Sequence, residues 1–390
     1  MPLRFAAPLI VLLALQGCRS ESARPEASGV DASWVIATEP YLVIGVLEGD
    51  PAYQFSNIAA AARRPDGGWV VADAGSRTVR TYHSDGTLQK VLGSAGSGPG
   101  EFTRPTQVLS RPNGSTLVWD DATFRVTEFG SGGELSGIQS FSREAIAQAL
   151  EPPLYPASGM LLSDGDLVVR LIFKTADVPH GRFRQQTGAL RVAADESAID
   201  TILFFHDTEQ VSVQMPKGPL PVVPPLARRA SIALQPNESR LCIGDQEGPE
   251  VTCFGPNGEE VVVRWEGEPV LATDSAVTAW SDSMSDVLTT KLTREAADQI
   301  LAQVPAPTEH PPYTDLVLDR AGHLGVITPG ATHGREGDRY LVFTADGHPV
   351  GPVSVPPVRV LEIGDDYLVG VRRDEFEVQY LQVYQLARPN

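Results

Sequence analysis

Positive charge is scarce in this chain: 31 Lys and Arg stand against 49 Asp and Glu, a formal charge of -18. Nucleic-acid binding needs clustered Lys and Arg that displace counterions, so that class of partner is excluded. The surplus of acid serves solubility and self-repulsion. Cysteine is rarer still, at 3 in 390 residues, and Cys242 with Cys253 offers fewer ligands than zinc needs. The 7 histidines are scattered, without a His-x-x-x-His, and no Cys-x-x-Cys accompanies them; no metal and no cofactor is expected. A serine nucleophile elbow is also missing, because Gly93-Ser94-Ala95-Gly96-Ser97-Gly98 reads as a loop between repeats. Helical periodicity is absent over most of the chain, and the apolar run at residues 5–15 is too short to cross a bilayer as a stable helix.

What the chain does contain is a repeat. Phe102 falls on Phe55, Pro112 on Pro65, Gly114 on Gly67, Asp120 on Asp73, Val126 on Val79, Phe129 on Tyr82, Gly133 on Gly86 and Leu135 on Leu88, with no gap. A later copy sets Leu241 on Trp69, Ile243 on Val71, Asp245 on Asp73, Phe254 on Tyr82 and Gly258 on Gly86. Within a copy, short apolar runs alternate with Pro-Asn-Gly, Asp and Gly-Gly, which are strand and hairpin signals. An up-and-down sheet of about four short strands cannot bury both faces alone. Copies must stack, and a period of roughly 40 to 50 residues with this strand content predicts a β-propeller.

The residues Gly96, Gly98, Gly100, Glu101, Phe102, Pro105, Asp120, Arg125, Val126, Phe129 and Gly133 follow a G-x-G-x-G-E-F-x-x-P, Asp, R-V-x-x-F, Gly pattern. This pattern resembles the blades of the NHL-type propeller family, and more broadly the six-bladed propeller lipoproteins of bacteria. First strands near Ile58, Thr106, Ala157, Ala230, Thr314 and Val358 predict six blades in an all-β fold. The third is the most degenerate, its loop lengthened by PHGRFRQQTG at residues 179–188. The run YLVIGVL at residues 41–47 is a strand without a sheet, and the C-terminus supplies three strands of a blade. The N-terminal strand is therefore expected to complete the last blade and close the ring, removing exposed edges.

Residues 1–17 carry one Arg, the apolar run and Leu15-Gln16-Gly17 before Cys18, an export signal. Its end resembles a bacterial lipobox. That resemblance implies cleavage before Cys18, acylation of this cysteine and a place in the cell envelope; Arg19 after it implies the outer membrane. Two acyl chains suffice for stable anchoring, since each buried methylene adds about 0.8 kcal/mol. The alternative is an ordinary cleaved signal with an incidental cysteine. Residues 18–33 are polar and aperiodic, a flexible tether, and residues 34–390 form the propeller.

Cys242 and Cys253 lie in adjacent expected strands, and pairing Asp245 with Glu250 around the intervening turn sets them opposite each other. A disulfide is feasible there, and export favours it; free buried thiols are the alternative. Residues 273–303 break the β pattern with Leu288, Leu292, Ala296, Ile300 and Leu301 near helical spacing and Thr293 as a cap. Two short helices are expected between the fourth and fifth blades, either packed on one face or covering the central opening.

In a propeller, first strands begin and second strands end on one face. Asn57, Arg104, Tyr155, Arg228, Arg229 and Tyr313 should converge there, with Asp73, Asp120 and Asp245 farther along. Arg and Tyr at a mouth suit an anionic or sugar-like ligand; alternatively the Arg residues pair with those Asp residues and knit the blades. The repeated Asp residues read as loop caps. His310 and Tyr313 near a blade start do not assemble into a lyase-type set. Three functions follow: a monomeric, non-catalytic binding or scaffold module for an envelope protein or glycan, a propeller-type lyase or hydrolase acting at the mouth, or a purely structural envelope component.

Overall fold

The computed structural model describes residues 34–149, 155–172, 178–216, 218–235, 239–329 and 338–388. The signal at 1–17, Cys18 and the tether at 18–33 lie outside the described residues. What is described is nearly all β, with three helices, Arg143–Gln148 (α1), Asp274–Thr289 (α2) and Arg294–Leu301 (α3). The strands form six sheets taken up in chain order. First strands begin at Ile58, Pro105, Tyr155, Ser231, Asp315 and Arg359, each beside its expected start.

The hairpins arise locally. Between Pro105–Ser110 and Thr116–Asp120 the chain turns through Gly114 at φ 83°, while the Asn113 side chain accepts the Ser115 amide at 2.9 Å. Gly67 repeats the same φ of 83°, with Asp66 accepting from Gly68 at 3.0 Å. Only glycine adopts this left-handed conformation without steric cost.

The residues carrying the repeat resemblance pack on one another. The Glu101 carboxylate accepts the Gly98 amide at 2.8 Å, and a Cβ on Gly96 would stand 2.0 Å from that carboxylate. Arg125 donates to the carbonyl oxygens of Ser97 and Glu101, and Phe102 packs against Phe129. The glycines leave room, and the Glu and Arg satisfy backbone groups of the turn that leads into the short parallel pairing of Glu101–Phe102 with Ser94–Ala95.

Second strands are buried on both sides, at every position of Trp69–Asp73 and of Thr116–Asp120. The reason is stacking: six apolar clusters lie between successive sheets. The first and second sheets share Val70, Val118 and Phe129; the second and third share Trp119 and Leu167. Further clusters join third to fourth, fourth to fifth and fifth to sixth. The last cluster, with Tyr367, Val369, Ile58 and Trp69, joins the sixth sheet to the first. First strands of neighbouring sheets also touch one another, including Arg359–Ile363 against Ile58–Arg63.

The N-terminal strand joins the last sheet, as expected. Leu42–Ile44 pairs antiparallel with Gln379–Ala387, Leu42 opposite Val383, and a second short strand, Val35–Ile36, continues along the same partner. The third sheet differs from expectation. Residues 179–188 are not simply a longer loop; Arg182–Val192 is a strand, paired with the long Ile199–Met215 and followed by Gly218–Val222. Glycines and charged side chains conceal this arm because it projects beyond the stacked part of the sheet.

The two helices form as expected, the Thr293 side chain accepting the Ala296 amide at 3.3 Å. They rest on the arm: Trp280, Leu288 and Ile300 pack with Val213, Leu220 and Val222. Cys242 stands opposite Cys253 in register, Cα atoms 4.0 Å apart, with the sulfurs joined. Breaking this crosslink with Cys242→Ala plus Cys253→Ala is expected to lower stability by about 3 kcal/mol through the short loop it closes. Urea unfolding of oxidised, reduced and doubly substituted protein checks this; equal midpoints for all three would show that the cysteines are not bonded in solution.

Candidate functional site

Aspartates at the repeat position shape one end of the sheets. Asp73 ends a second strand and accepts amides from Gly75 and Ser76 in its own loop, at 3.0 and 3.2 Å, and from Ser56 and Asn57 ahead of the first strand, at 3.0 and 2.8 Å. Asp120 does the same with Ala122, Thr123, Thr103 and Arg104. Burial opposes ionisation of both carboxyls, but these amides, with the Ser76 hydroxyl at Asp73, outweigh it and hold both below the usual carboxylate range. Asp245 accepts from Glu247 and His206. The loop-cap reading thus describes these three residues.

The expected mouth residues separate on this frame. Asn57 and Arg229 are exposed, and Tyr155 is also exposed, at 39%. Arg104 pairs with Asp121 at 2.5 Å and Arg228 with Glu247 at 3.2 Å. The arginines do knit the loops, but through the neighbours of the repeat aspartates rather than through Asp120 and Asp245. Tyr313 is corrected: it is fully buried, its hydroxyl accepting the Gln246 amide at 3.0 Å and its carbonyl oxygen accepting from the Gln246 side chain at 2.7 Å. Burial pushes its hydroxyl well above the usual tyrosine range. A core tyrosine whose hydroxyl is satisfied looks in sequence like one at a surface mouth.

The far ends of the first strands are tied together. Arg320 donates to Glu362 at 3.0 Å and to the Arg63 carbonyl oxygen at 3.3 Å, while its own carbonyl oxygen accepts from Gln235 at 2.9 Å. Four sheets meet on this one residue. Glu362 is buried beside Tyr367; burial raises its carboxyl pKa, partly offset by Arg320.

Between these two ends lies a cavity of about 870 Å³. Its walls are first strands of the fourth, fifth and sixth sheets, including Leu234, Val317 and Leu361, with Arg372, Arg373 and Asp374 from the sixth sheet's later strands and turn. A smaller hollow of about 380 Å³ shares Leu234 and runs along Gln107, Asp121 and Gly159 of the second and third sheets. Gln107 there exchanges two hydrogen bonds with the Leu161 backbone, satisfying an inner strand edge. Strand direction sets the polarity of the larger cavity. Asp315 and Arg359 open their strands and stand at the end where first strands begin; Leu318 and Leu361 lie toward the tied end. The helices α2 and α3 pack on the arm, and none of their residues lines either hollow.

Asp315, Arg359 and Arg373 were not among the expected mouth residues. The signal was available: Arg359 opens the sixth first strand as Asp315 opens the fifth. Among the described residues, no three His, Cys, Asp or Glu side chains converge to hold a metal ion.

No protein-family model matches the chain, and no curated protein matches it in sequence. Among solved structures it is similar to a DUF4221 family member from Bacteroides vulgatus, with TM-score 0.53 and 10% identity over 92% of this chain and 99% of that one. A gluconolactonase from Xanthomonas campestris aligns with TM-score 0.43 and 11% identity, over 90% and 100% of the two chains. A virginiamycin B lyase from Staphylococcus aureus aligns with TM-score 0.42 and 9% identity, over 92% and 100%. These are propeller-type proteins, and the likeness to the DUF4221 member, at 10% identity, is one of fold, not chemistry.

Proposed function

We propose that this chain is an exported lipoprotein, acylated at Cys18 and tethered through residues 18–33, whose six sheets are the blades of a closed β-propeller built from NHL-like repeats. It acts at the cell envelope, on the outer membrane, as a monomeric, non-catalytic module that binds an envelope glycan or protein. The observation supporting the binding role is the cavity of about 870 Å³ walled by three first strands. Its size matches ligand sites in general. An apolar floor with charged side chains at one end can grip one part of a ligand and orient another.

The test uses the mature chain and a Leu361→Trp variant whose larger side chain intrudes on the cavity wall. Titration with envelope glycans and purified periplasmic proteins is expected to yield a ligand whose affinity falls at least tenfold in the variant while the melting temperature holds. Equal binding by both proteins would remove the cavity from the function. Turnover of a lactone, ester or glycan by the wild type would replace binding with lyase or hydrolase catalysis. In cells, Cys18→Ala is expected to abolish incorporation of labelled palmitate and move the protein from the membrane to the soluble fraction; unchanged fractionation would end the lipoprotein reading.

A further inference from the structure

An arginine in a hollow normally has a carboxylate beside it, because an uncompensated charge held away from water is unfavourable. Arg63, Arg104, Arg182, Arg228 and Arg320 follow this rule, each within 3.2 Å of an Asp or Glu. Arg359 and Arg372 line the cavity, and neither makes an ion pair among the described residues. A guanidinium offers five N–H donors. The hydrogen bond Arg359 makes among the described residues is to the Ile58 carbonyl oxygen, leaving donors for the cavity. Its side chain is reached by solvent, yet burial and then the like charge of Arg373 lower its pKa, only partly offset by Asp315. That combination describes a cation set into the wall of a hollow without a direct ion pair, in a chain where acids outnumber bases by 49 to 31.

We infer that the cavity takes an amphipathic organic monocarboxylate, its carboxylate received by Arg359 and its apolar body laid along Leu234, Val317 and Leu361. This rests on the cavity being a binding site, as proposed above, and puts a small amphipathic acid in it in place of the glycan or protein. Planar guanidinium and carboxylate groups match in bidentate geometry. A single negative charge is selected because Asp315, Asp374, Glu375 and Glu377 line the same cavity and disfavour a dianion. The apolar floor selects a hydrocarbon or aromatic body over a sugar acid.

The experiment titrates the mature chain by calorimetry with phenylacetate and octanoate, their matched amides, and phenyl phosphate. The carboxylates are expected to bind at least tenfold tighter than the amides, and phenyl phosphate more weakly than phenylacetate. Arg359→Gln, which keeps a donor for the Ile58 carbonyl oxygen, is expected to weaken carboxylate binding by about 10- to 100-fold, the effect of one charge-assisted hydrogen bond. It should leave amide binding and the melting temperature in place. Leu361→Trp should weaken binding of both at least tenfold. Equal affinity for carboxylate and amide, tighter binding of the phosphate, or unchanged carboxylate affinity in Arg359→Gln would overturn the assignment while leaving the cavity a binding site. Failure of every probe, charged and neutral, would overturn the small-acid assignment and leave the binding role to the glycan and protein titration above.

Discussion

Trp119→Ala is expected to lower the unfolding free energy by about 4 kcal/mol, the cost of removing a large aromatic side chain from a core that cannot collapse around the void. Trp119 is fully buried and serves two sheets at once. Its ring lies 5.2 Å from Phe124 and 6.0 Å from Phe141, in a cluster with Leu161 and Leu167 of the third sheet. Its indole N–H has no acceptor among the described residues, so Trp119→Phe loses packing but no hydrogen bond and is expected to cost less than half as much. The neighbouring backbone tests the same contact from the other side. A Cβ on Gly159 would stand 2.6 Å from the Trp119 ring, so Gly159→Ala overpacks the interface by about 1 to 3 kcal/mol. In the Trp119→Ala background the added methyl has room, and its penalty should vanish. Urea unfolding of the four proteins measures this coupling. Additive losses would mean that the two residues do not meet.

Asp120→Ala is expected to destabilise by about 3 kcal/mol, because four backbone amides lose a charged acceptor and hydrogen bonds to charged groups are worth about 1.5 to 3 kcal/mol each before water replaces some of them. The loss is more than a turn defect. Two amides lie in the Asp120 loop and two at the entrance to the first strand, so one side chain holds the opening hairpin to its own start. The pH dependence follows from the lowered folded-state pKa values of Asp73 and Asp120. Above the unfolded value, about 3.9, both groups contribute their full stabilisation. As pH falls through the lower folded values, that contribution is lost. Wild type should therefore weaken steeply below about pH 4, and Asp120→Asn should show a shallower acid limb. Identical slopes would refute the role of this carboxylate as an ionised cap.

Much of this arrangement is legible in residue order. The Pro-Asn-Gly turn, the Thr293 cap, the Cys242 and Cys253 register and the pairing of residues 42–44 with the C-terminal strand depend on neighbours in sequence or on counting strands. The errors share another cause. Tyr313 has the composition of a mouth residue but lies inside, since the Gln246 side chain, far along the chain, satisfies its carbonyl oxygen. Residues 182–188 resemble a loop because an arm outside the stack buries few apolar side chains. Arg359 escaped notice because a basic residue opening a strand is unremarkable until the hollow beside it is known.

Residue order alone determined that the chain forms successive small antiparallel sheets, where each turns, and which strand joins the two ends, because hairpins and registers are set by local turns and alternating side chains. Only tertiary structure decided that a hollow stays open beside Arg359 while Arg320 ties the far ends together. Those features depend on how far the fourth, fifth and sixth first strands stand apart, a spacing set by side chains packed between sheets that are distant in sequence.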